Sequence, residues 1–407
     1  MIRIRSCVRI ASALALLPGS VASPQDVPAL RLVESLKVLG ADLDISANIS
    51  RLAVGRDGRM AVFNDPNGEL VFFDSAGKKL GTFGGKGQGP GEFSGGSSGQ
   101  LFFINLGFTA DTLWAYEGAQ RRFTLISPDL KLVRAPSLPQ FDAATVGAFT
   151  PLSMLGGGRL LGQVMIGRPV PYEMGGVTRT WYEPSDSAIV IGTPDGKIEK
   201  RVATLPSNRS SSIINRPGRM EARPVPFATA PLRDVSRSGD QFVYVTHAVS
   251  TPTGGTYRVS VIRAEGDTVW TRSYPFNGQV ITQRMKDSVV DGMIARSNAP
   301  GRGGRAPVPV PEEHLKFFRE NMPSVRAPFT AVLLGIDGTV WLRRYAAQGE
   351  VGQYLVLDDR GAALGSVSLP RTGLQVHEVS RTSLWTTERD ADGFLNVVRY
   401  RVEGARE

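Results

Sequence analysis

Cysteine is almost absent from this chain of 407 residues. Cys7 is the single one, so a product that loses its first residues has no disulfide, no thiolate metal site and no cysteine nucleophile. Histidine is nearly as scarce. His247, His314 and His377 stand far apart, so no pair has metal-ligand spacing, and no His-Glu-x-x-His motif occurs. No apolar run after the N-terminus approaches ~18 residues, so no helical membrane span is expected. Charge is unbalanced: 47 Lys and Arg face 38 Asp and Glu.

Arg3, Arg5 and Arg9 precede a short apolar segment, Ile10 to Leu17, and the small-residue site Ser20-Val21-Ala22. This order predicts a signal peptide over residues 1–22 and export to the periplasm or the cell exterior. Cys7 lacks the small-residue setting just before a cleavage point that a lipoprotein signal requires, so no lipid anchor is expected. The mature product is expected to be a soluble monomer, and its formal charge falls from +9 to +6 once the three presequence arginines are removed. The positive charge is concentrated. Residues 209–233 carry five arginines against Glu221 alone, and residues 284–328 carry eight Lys or Arg against five acids. Both segments read as connections rather than strands. Exposed aromatics do not alternate with these arginines, so nucleic acid is not an expected partner. Anionic glycans, envelope surfaces or plain solubility fit better, and the partner expected is an unidentified ligand or protein of anionic character.

What is plentiful is a short strand followed by a turn. From Arg51 to Phe93, apolar runs at Met60–Asn64, Leu70–Asp74 and Leu80–Phe83 alternate with the turns Pro66-Asn67-Gly68 and Ser75-Ala76-Gly77. Shifting this unit by 53 places lays Met60 on Leu113, Phe63 on Tyr116, Leu70 on Phe123 and Phe72 on Leu125. The same ending returns at Ala188–Ile198, Val259–Val269 and Tyr354–Leu364, and a last unit runs from Ser383 to Val402. Six such units predict an all-β six-bladed β-propeller of four-stranded antiparallel blades. The expected blades are 50–83, 101–138, 150–206, 234–276, 329–370 and 374–404, within one domain over 28–404. The last unit stops after three strands, so the N-terminal strand 30–39 is expected to close the last blade and hide its edge. Two packed sandwiches are the rival all-β arrangement. Between blades 4 and 5, residues 277–328 form an insertion. It reads as an amphipathic helix over 277–295, a Pro/Gly linker and a second helix from Pro311.

The run Phe83–Phe93, FGGKGQGPGEF, follows a strand-turn-strand and resembles the six-bladed β-propellers of the NHL-repeat type. The resemblance is close over residues 49–93, looser over 111–133 and architectural beyond. It implies a propeller fold and leaves activity open, since such propellers include ligand-, protein- and RNA-binding members and a few lyases and hydrolases. As a phosphate cradle the loop fails. It lacks the Gly-Lys-Ser/Thr ending, Pro90 replaces a dinucleotide-motif glycine, and no helix follows. Gly84, Gly87, Gly89 and Gly91 are expected to shape a joint between blades, Pro90 to stiffen it, Glu92 to accept from backbone amides and Phe93 to pack between blades.

In a propeller, the connection entering a blade and the turn between its second and third strands share one face. The long segments 84–99, 207–233 and 277–328 and the turns 167–181 and 248–256 all fall there, which predicts the functional face. Arg121, Arg168, Arg343 and Arg344 end or follow second strands on it and are candidates for binding an anionic or polar target. His247 joins them, and together with His314 it is the candidate for acid-base chemistry. No cofactor is expected. The alternative is calcium, by similarity to lactonases on six-bladed propellers, with Asp65, Glu117 and Glu388 as candidate ligands beside Asn64 and Asp390. The function expected is noncatalytic binding on the elaborated face. The rivals are a hydrolase or lyase with a metal or histidine site at the channel mouth, and a structural module of an envelope assembly.

Overall fold

The computed structural model describes residues 27–40, 49–64, 67–94, 104–141, 149–174, 177–205, 211–216, 219–299, 309–347 and 349–404. The expected signal peptide lies outside them. After β1 (Ala29–Val38), strands follow in antiparallel quartets. The first is β2 (Ile49–Val54), β3 (Met60–Asn64), β4 (Glu69–Phe73) and β5 (Lys79–Gly84). The second is β6 (Ile104–Thr109), β7 (Thr112–Glu117), β8 (Arg122–Ile126) and β9 (Leu132–Arg134). The third is β10 (Thr150–Met154), β11 (Leu160–Met174), β12 (Val177–Gly192) and β13 (Ile198–Leu205).

A two-stranded ribbon, β14 (Ser211–Arg216) and β15 (Arg219–Pro224), precedes the fourth quartet. That quartet is β16 (Leu232–Val235), β17 (Gln241–Thr251), β18 (Gly254–Arg263) and β19 (Thr268–Asn277). Two helices follow, α1 (Gln283–Asn298) and α2 (Glu312–Asn321). The fifth quartet is β20 (Phe329–Leu334), β21 (Val340–Arg344), β22 (Gln353–Leu357) and β23 (Ala363–Ser368). Then come β24 (Gln375–Val379), β25 (Ser383–Arg389) and β26 (Leu395–Glu403). β1 pairs antiparallel with β26 from Arg31↔Glu403 to Val38↔Val397 and supplies the fourth strand of this last set. Two parallel pairs, Ala29↔Ser366 and Leu30↔Val367, also join it to β23.

Side-chain alternation explains why so many of these strands read as unbroken apolar runs. In β7, Leu113 and Ala115 pack toward the first quartet, while Trp114 and Tyr116 pack toward the third. In β21, Val340 and Leu342 join the fourth quartet and Trp341 joins the last. Every quartet is buried on both faces in this way. Leu161 and Ile189 meet Phe242 and Ile262 between the third and fourth. Trp385 and Val397 of the last set meet Leu52, Met60 and Phe73 of the first. The succession therefore returns to its start, and the sheets form a β-propeller around an axis lined by the first strand of each quartet.

Two expectations for the connections need correction. Residues 209–233 are not wholly irregular, because Ser211–Arg216 and Arg219–Pro224 pair in register as a hairpin. The sequence Pro217-Gly218 between equal runs was the available signal, and charge does not prevent backbone pairing. The first inserted helix begins at Gln283 rather than near 277. Before it, Ile281 N–H donates to Ser324 O (2.8 Å) and Arg326 N–H to Gln279 O (2.9 Å), so the segment is tied as a strand-like return. Thr282 Oγ1 then caps α1 by accepting from Met285 N–H. α2 is anchored more deeply. Leu315 and Phe318 pack with Val225, Val290, Val310 and Met322, and buried His314 shares a 2.8 Å hydrogen bond through Nδ1 with Ser212 Oγ of β14.

Removing residues 1–40 strips β26 of its outer partner and leaves that edge open, and the truncated chain is expected to aggregate and lose its cooperative melt, as followed by size-exclusion chromatography and calorimetry. Phe93 is fully buried against Phe63, with ring centroids 5.2 Å apart. Phe93→Ala is expected to cost about 3–5 kcal/mol in urea unfolding.

Candidate functional site

The axis is closed at one end by a single turn. Residues 236–240 join β16 to β17, and they touch four other quartets. Phe108 N–H donates to Arg237 O (3.1 Å). Arg56 pairs with Asp240 at 3.1 Å. Gly239, at φ +74°, lies so close to β10 that a Cβ there would collide with Ser153. Arg237 sends its guanidinium to the last set, with Nε donating to Glu378 Oε2 and a terminal nitrogen to His377 O, both at 3.1 Å. A turn from one sheet that reaches so many others must sit on the axis.

Above this plug is a cavity of about 280 Å³ lined by residues of five innermost strands and the plug itself. Arg51, Arg233, Asp234, Arg237, Asn105 and His377 supply its chemistry. His377 is 6% exposed, and its Nε2 lies 2.9 Å from Thr387 Oγ1. Burial, aided by Arg237 and Arg51, pushes its pKa down to about 3, so the ring is neutral at physiological pH. Burial pushes Glu378 up to about 8, outweighing Arg237, and also raises Asp234, whose Oδ2 accepts from Leu334 N–H at 2.8 Å. Burial opposes the charge of Arg237, but Glu378 and Asp234 outweigh it and hold the guanidinium protonated. Arg233 differs. Desolvation lowers its pKa, and no carboxylate pairs with it among the described residues.

The residues singled out from sequence are distributed otherwise. Glu117, 2% exposed, accepts from Ser94 N–H at 2.7 Å and from its hydroxyl, with Arg122 at 3.6 Å. Glu388, 1% exposed, is held by Arg371 and Tyr400. Asn64 donates to Glu69, and Asp390 accepts from Phe394 N–H in its own turn. These carboxylates pin loops, and no three acidic, histidine or cysteine side chains converge on a metal position among the described residues. Asp65 and the side chain of Arg168 lie outside the described residues. Arg121 occupies a positive-φ turn position at +49°. His247, its pKa lowered by burial, lines a separate cavity of about 260 Å³ with Thr229, Asn321 and Pro323. Arg343 and Arg344 do not line it. They end β21, whereas β17 brings His247 toward α2, so the expected cluster of histidine and arginines is not assembled. His314 is occupied in the α2 anchor.

In the glycine loop, Gly89 N–H donates to Glu92 Oε2 (2.8 Å), and Arg122 donates to Gln88 O (2.9 Å). Gly84, at φ +95°, faces the ring of Phe93, leaving no room for a side chain. The loop is thus filled by its own glutamate and by the neighbouring sheet.

The axial residues were harder to read. Arg233 appears in sequence only as one member of a basic segment, and Arg51 and Arg237 as ordinary turn-flanking cations. A signal existed in retrospect: Asp234, Arg237, His377 and Glu378 are ionisable residues within or beside the short first strands, where apolar residues are the rule.

No protein-family model matches this sequence, and no curated protein does. Several solved structures are similar in outline. A member of the DUF4221 family from Bacteroides vulgatus is 11% identical, with 92% of this chain and 99% of that one covered and a TM-score of 0.47. A streptogramin B lyase is 12% identical over 92% and 97% of the two chains, with a TM-score of 0.37. The calcium-binding protein regucalcin from Agrobacterium tumefaciens is 11% identical over 92% and 96%, with a TM-score of 0.35. No residue role passes from them to this chain.

The buried ionisable groups give stability a defined pH profile. His377 titrates at about 3 folded and 6.5 unfolded, so the unfolded chain binds more protons in that window and stability rises with pH. Glu378 titrates at about 8 folded and 4.5 unfolded, so the folded chain binds more and stability falls with pH. The two oppose between 4.5 and 6.5. The unfolding free energy, measured by urea unfolding at each pH, is expected to rise below that window, level off within it, and fall from 6.5 to 8 by at most about 1.4 kcal/mol per pH unit per proton. Glu378→Gln should flatten the upper limb and His377→Gln the lower.

Proposed function

We propose that this chain is an exported, noncatalytic six-bladed β-propeller that binds a small anionic ligand in its axial cavity, reached from the face with the long connections. The observation that carries the reading is Arg233, a partly desolvated guanidinium facing the cavity without a carboxylate partner among the described residues. Arg51 and Arg237 stand beside it, and the nearest acids, Asp234 and Glu378, are both shifted toward their neutral forms. The local balance is therefore positive, and a partly desolvated cation gains from an anion that accepts directional hydrogen bonds. Asn105 and Gln375 add amides for the rest of a polar ligand. At about 280 Å³ the cavity lies just below the range of drug-sized sites, which restricts the ligand to a few non-hydrogen atoms. The plug at the far end makes the cavity a cup rather than a pore.

The reading is tested by calorimetric titration with succinate, phosphate and the neutral amide succinamide. Succinate or phosphate should bind and succinamide should not. Arg233→Gln should weaken anion binding tenfold to a hundredfold, taking a charged hydrogen bond as about 1.5–3 kcal/mol, without changing the melting temperature much. Equal binding of succinamide, or an unchanged Arg233→Gln, would overturn it. Stoichiometric calcium retained through purification and needed for stability would favour the hydrolase or lyase instead. N-terminal sequencing of the exported product should begin at Ser23.

A further inference from the structure

The face with the short turns carries a larger cavity than the axis does. A groove of about 410 Å³ runs between the last strand set and the first quartet, floored by Val54, Ile336, Val379 and Trp385. Arg399 of β26 lies over the Trp385 ring, 5.4 Å from its centroid, and its Nε donates to Ser35 Oγ at 3.1 Å. Its terminal nitrogens meet no carboxylate among the described residues. The two other arginines of the groove are already paired, Arg56 with Asp240 and Arg401 with Glu403. The one acid in the lining is Glu378, at the axial end, and it is engaged by Arg237.

We propose that this groove is a second binding site, for a carboxylate with an apolar body, seated head-on against Arg399. The argument rests on how the guanidinium is held. Stacking on an indole fixes the plane of an arginine, and the serine contact fixes its rotation, so the outer edge presents two parallel donors with little entropy left to lose. A carboxylate matches that edge bidentately. Glu378 does not compete for it. Its pKa is raised by burial, so it brings little negative charge at neutral pH, and it lies beyond Trp385, two strands from Arg399. Between the two ends the floor is carbon, which disfavours a second charge and favours an alkyl or aromatic body. The axial site differs in kind, because its walls are polar, and neither site requires the other.

Trp385 makes the test direct. The full chain is titrated with hexanoate, 1-hexanol and hexylamine while tryptophan fluorescence is followed. Hexanoate should give a saturable change, with the alcohol and the amine at least about tenfold weaker. Arg399→Met should weaken hexanoate about tenfold or more, and Arg399→Lys, which keeps the charge but not the stacked fork, about threefold. Trp385→Phe should abolish the fluorescence response. The proposal is overturned if hexanoate gives no saturable change, if hexanol or hexylamine binds as tightly, or if the response survives in Trp385→Phe. Unchanged affinity in Arg399→Met also overturns it. Should Arg399→Met fail to fold by circular dichroism, Arg399→Lys decides, and an unchanged affinity there has the same consequence.

Discussion

Each quartet of strands has two apolar faces, and that single constraint organises the molecule. A sheet with one wet face can stand alone against a helix layer. A sheet such as β6–β9, with Leu113 and Ala115 on one side and Trp114 and Phe123 on the other, needs a neighbour on both. Hydrophobic seams between neighbouring sheets satisfy the requirement, and the seam of Trp385 and Val397 against Leu52 and Phe73 brings the succession back to its beginning. Pairing of β1 with β26 completes that last seam from the opposite end of the chain, burying Val38 within it. Long-range closure of this kind hides the strand edges that would otherwise pair with other molecules.

The ring leaves its innermost strands facing one another across an axis, and His377 and Glu378 there are withdrawn from solvent. The turn at residues 236–240 meets them by setting Arg237 on the Glu378 carboxyl and the His377 carbonyl of the last strand set. What remains above it is a cup in which Arg233 faces inward. Desolvation explains the opposed titration of its neighbours. A neutral His377 and a mostly protonated Glu378 are each the cheaper form where charge is poorly solvated. Arg237 is held by the Glu378 carboxyl and the His377 carbonyl, whereas the guanidinium of Arg233 has no ion-pair partner among the described residues.

The two ends of the propeller are built on different principles. At the elaborated end, long hairpins, the β14–β15 ribbon and the α1–α2 insertion form their own small core around Phe318, and carboxylates such as Glu117 and Glu388 serve to pin loops. The other end has only tight turns, stabilised by side chains such as Asp74 and Asp358 that accept from backbone N–H groups of their own turns. A groove appears at that plainer end because the last seam joins strands contributed by both ends of the chain. There Gly55 and Gly58 of the first quartet face Arg399 and Arg401.

Sequence alone determined what depends on short-range pattern. Period-two alternation, turn residues at fixed spacing and the repeat at 53 places were enough to predict strands Met60–Asn64, Leu70–Asp74 and their equivalents. These follow from local backbone geometry, so the residues concerned carry the information themselves. The site did not. Arg51, Arg233, Arg237 and Glu378 are separated by more than three hundred residues at the extremes, and each alone is an unremarkable charge near a turn. Ring closure is what brings Arg51, Arg233 and Arg237 around one cavity and sets Arg237 on Glu378. The same closure put Arg399 on Trp385 and kept Arg343 and Arg344 away from the cavity of His247. Direction across an axis is a property of the assembled ring, because it depends on how every sheet packs on the next, and no spacing along the chain encodes it.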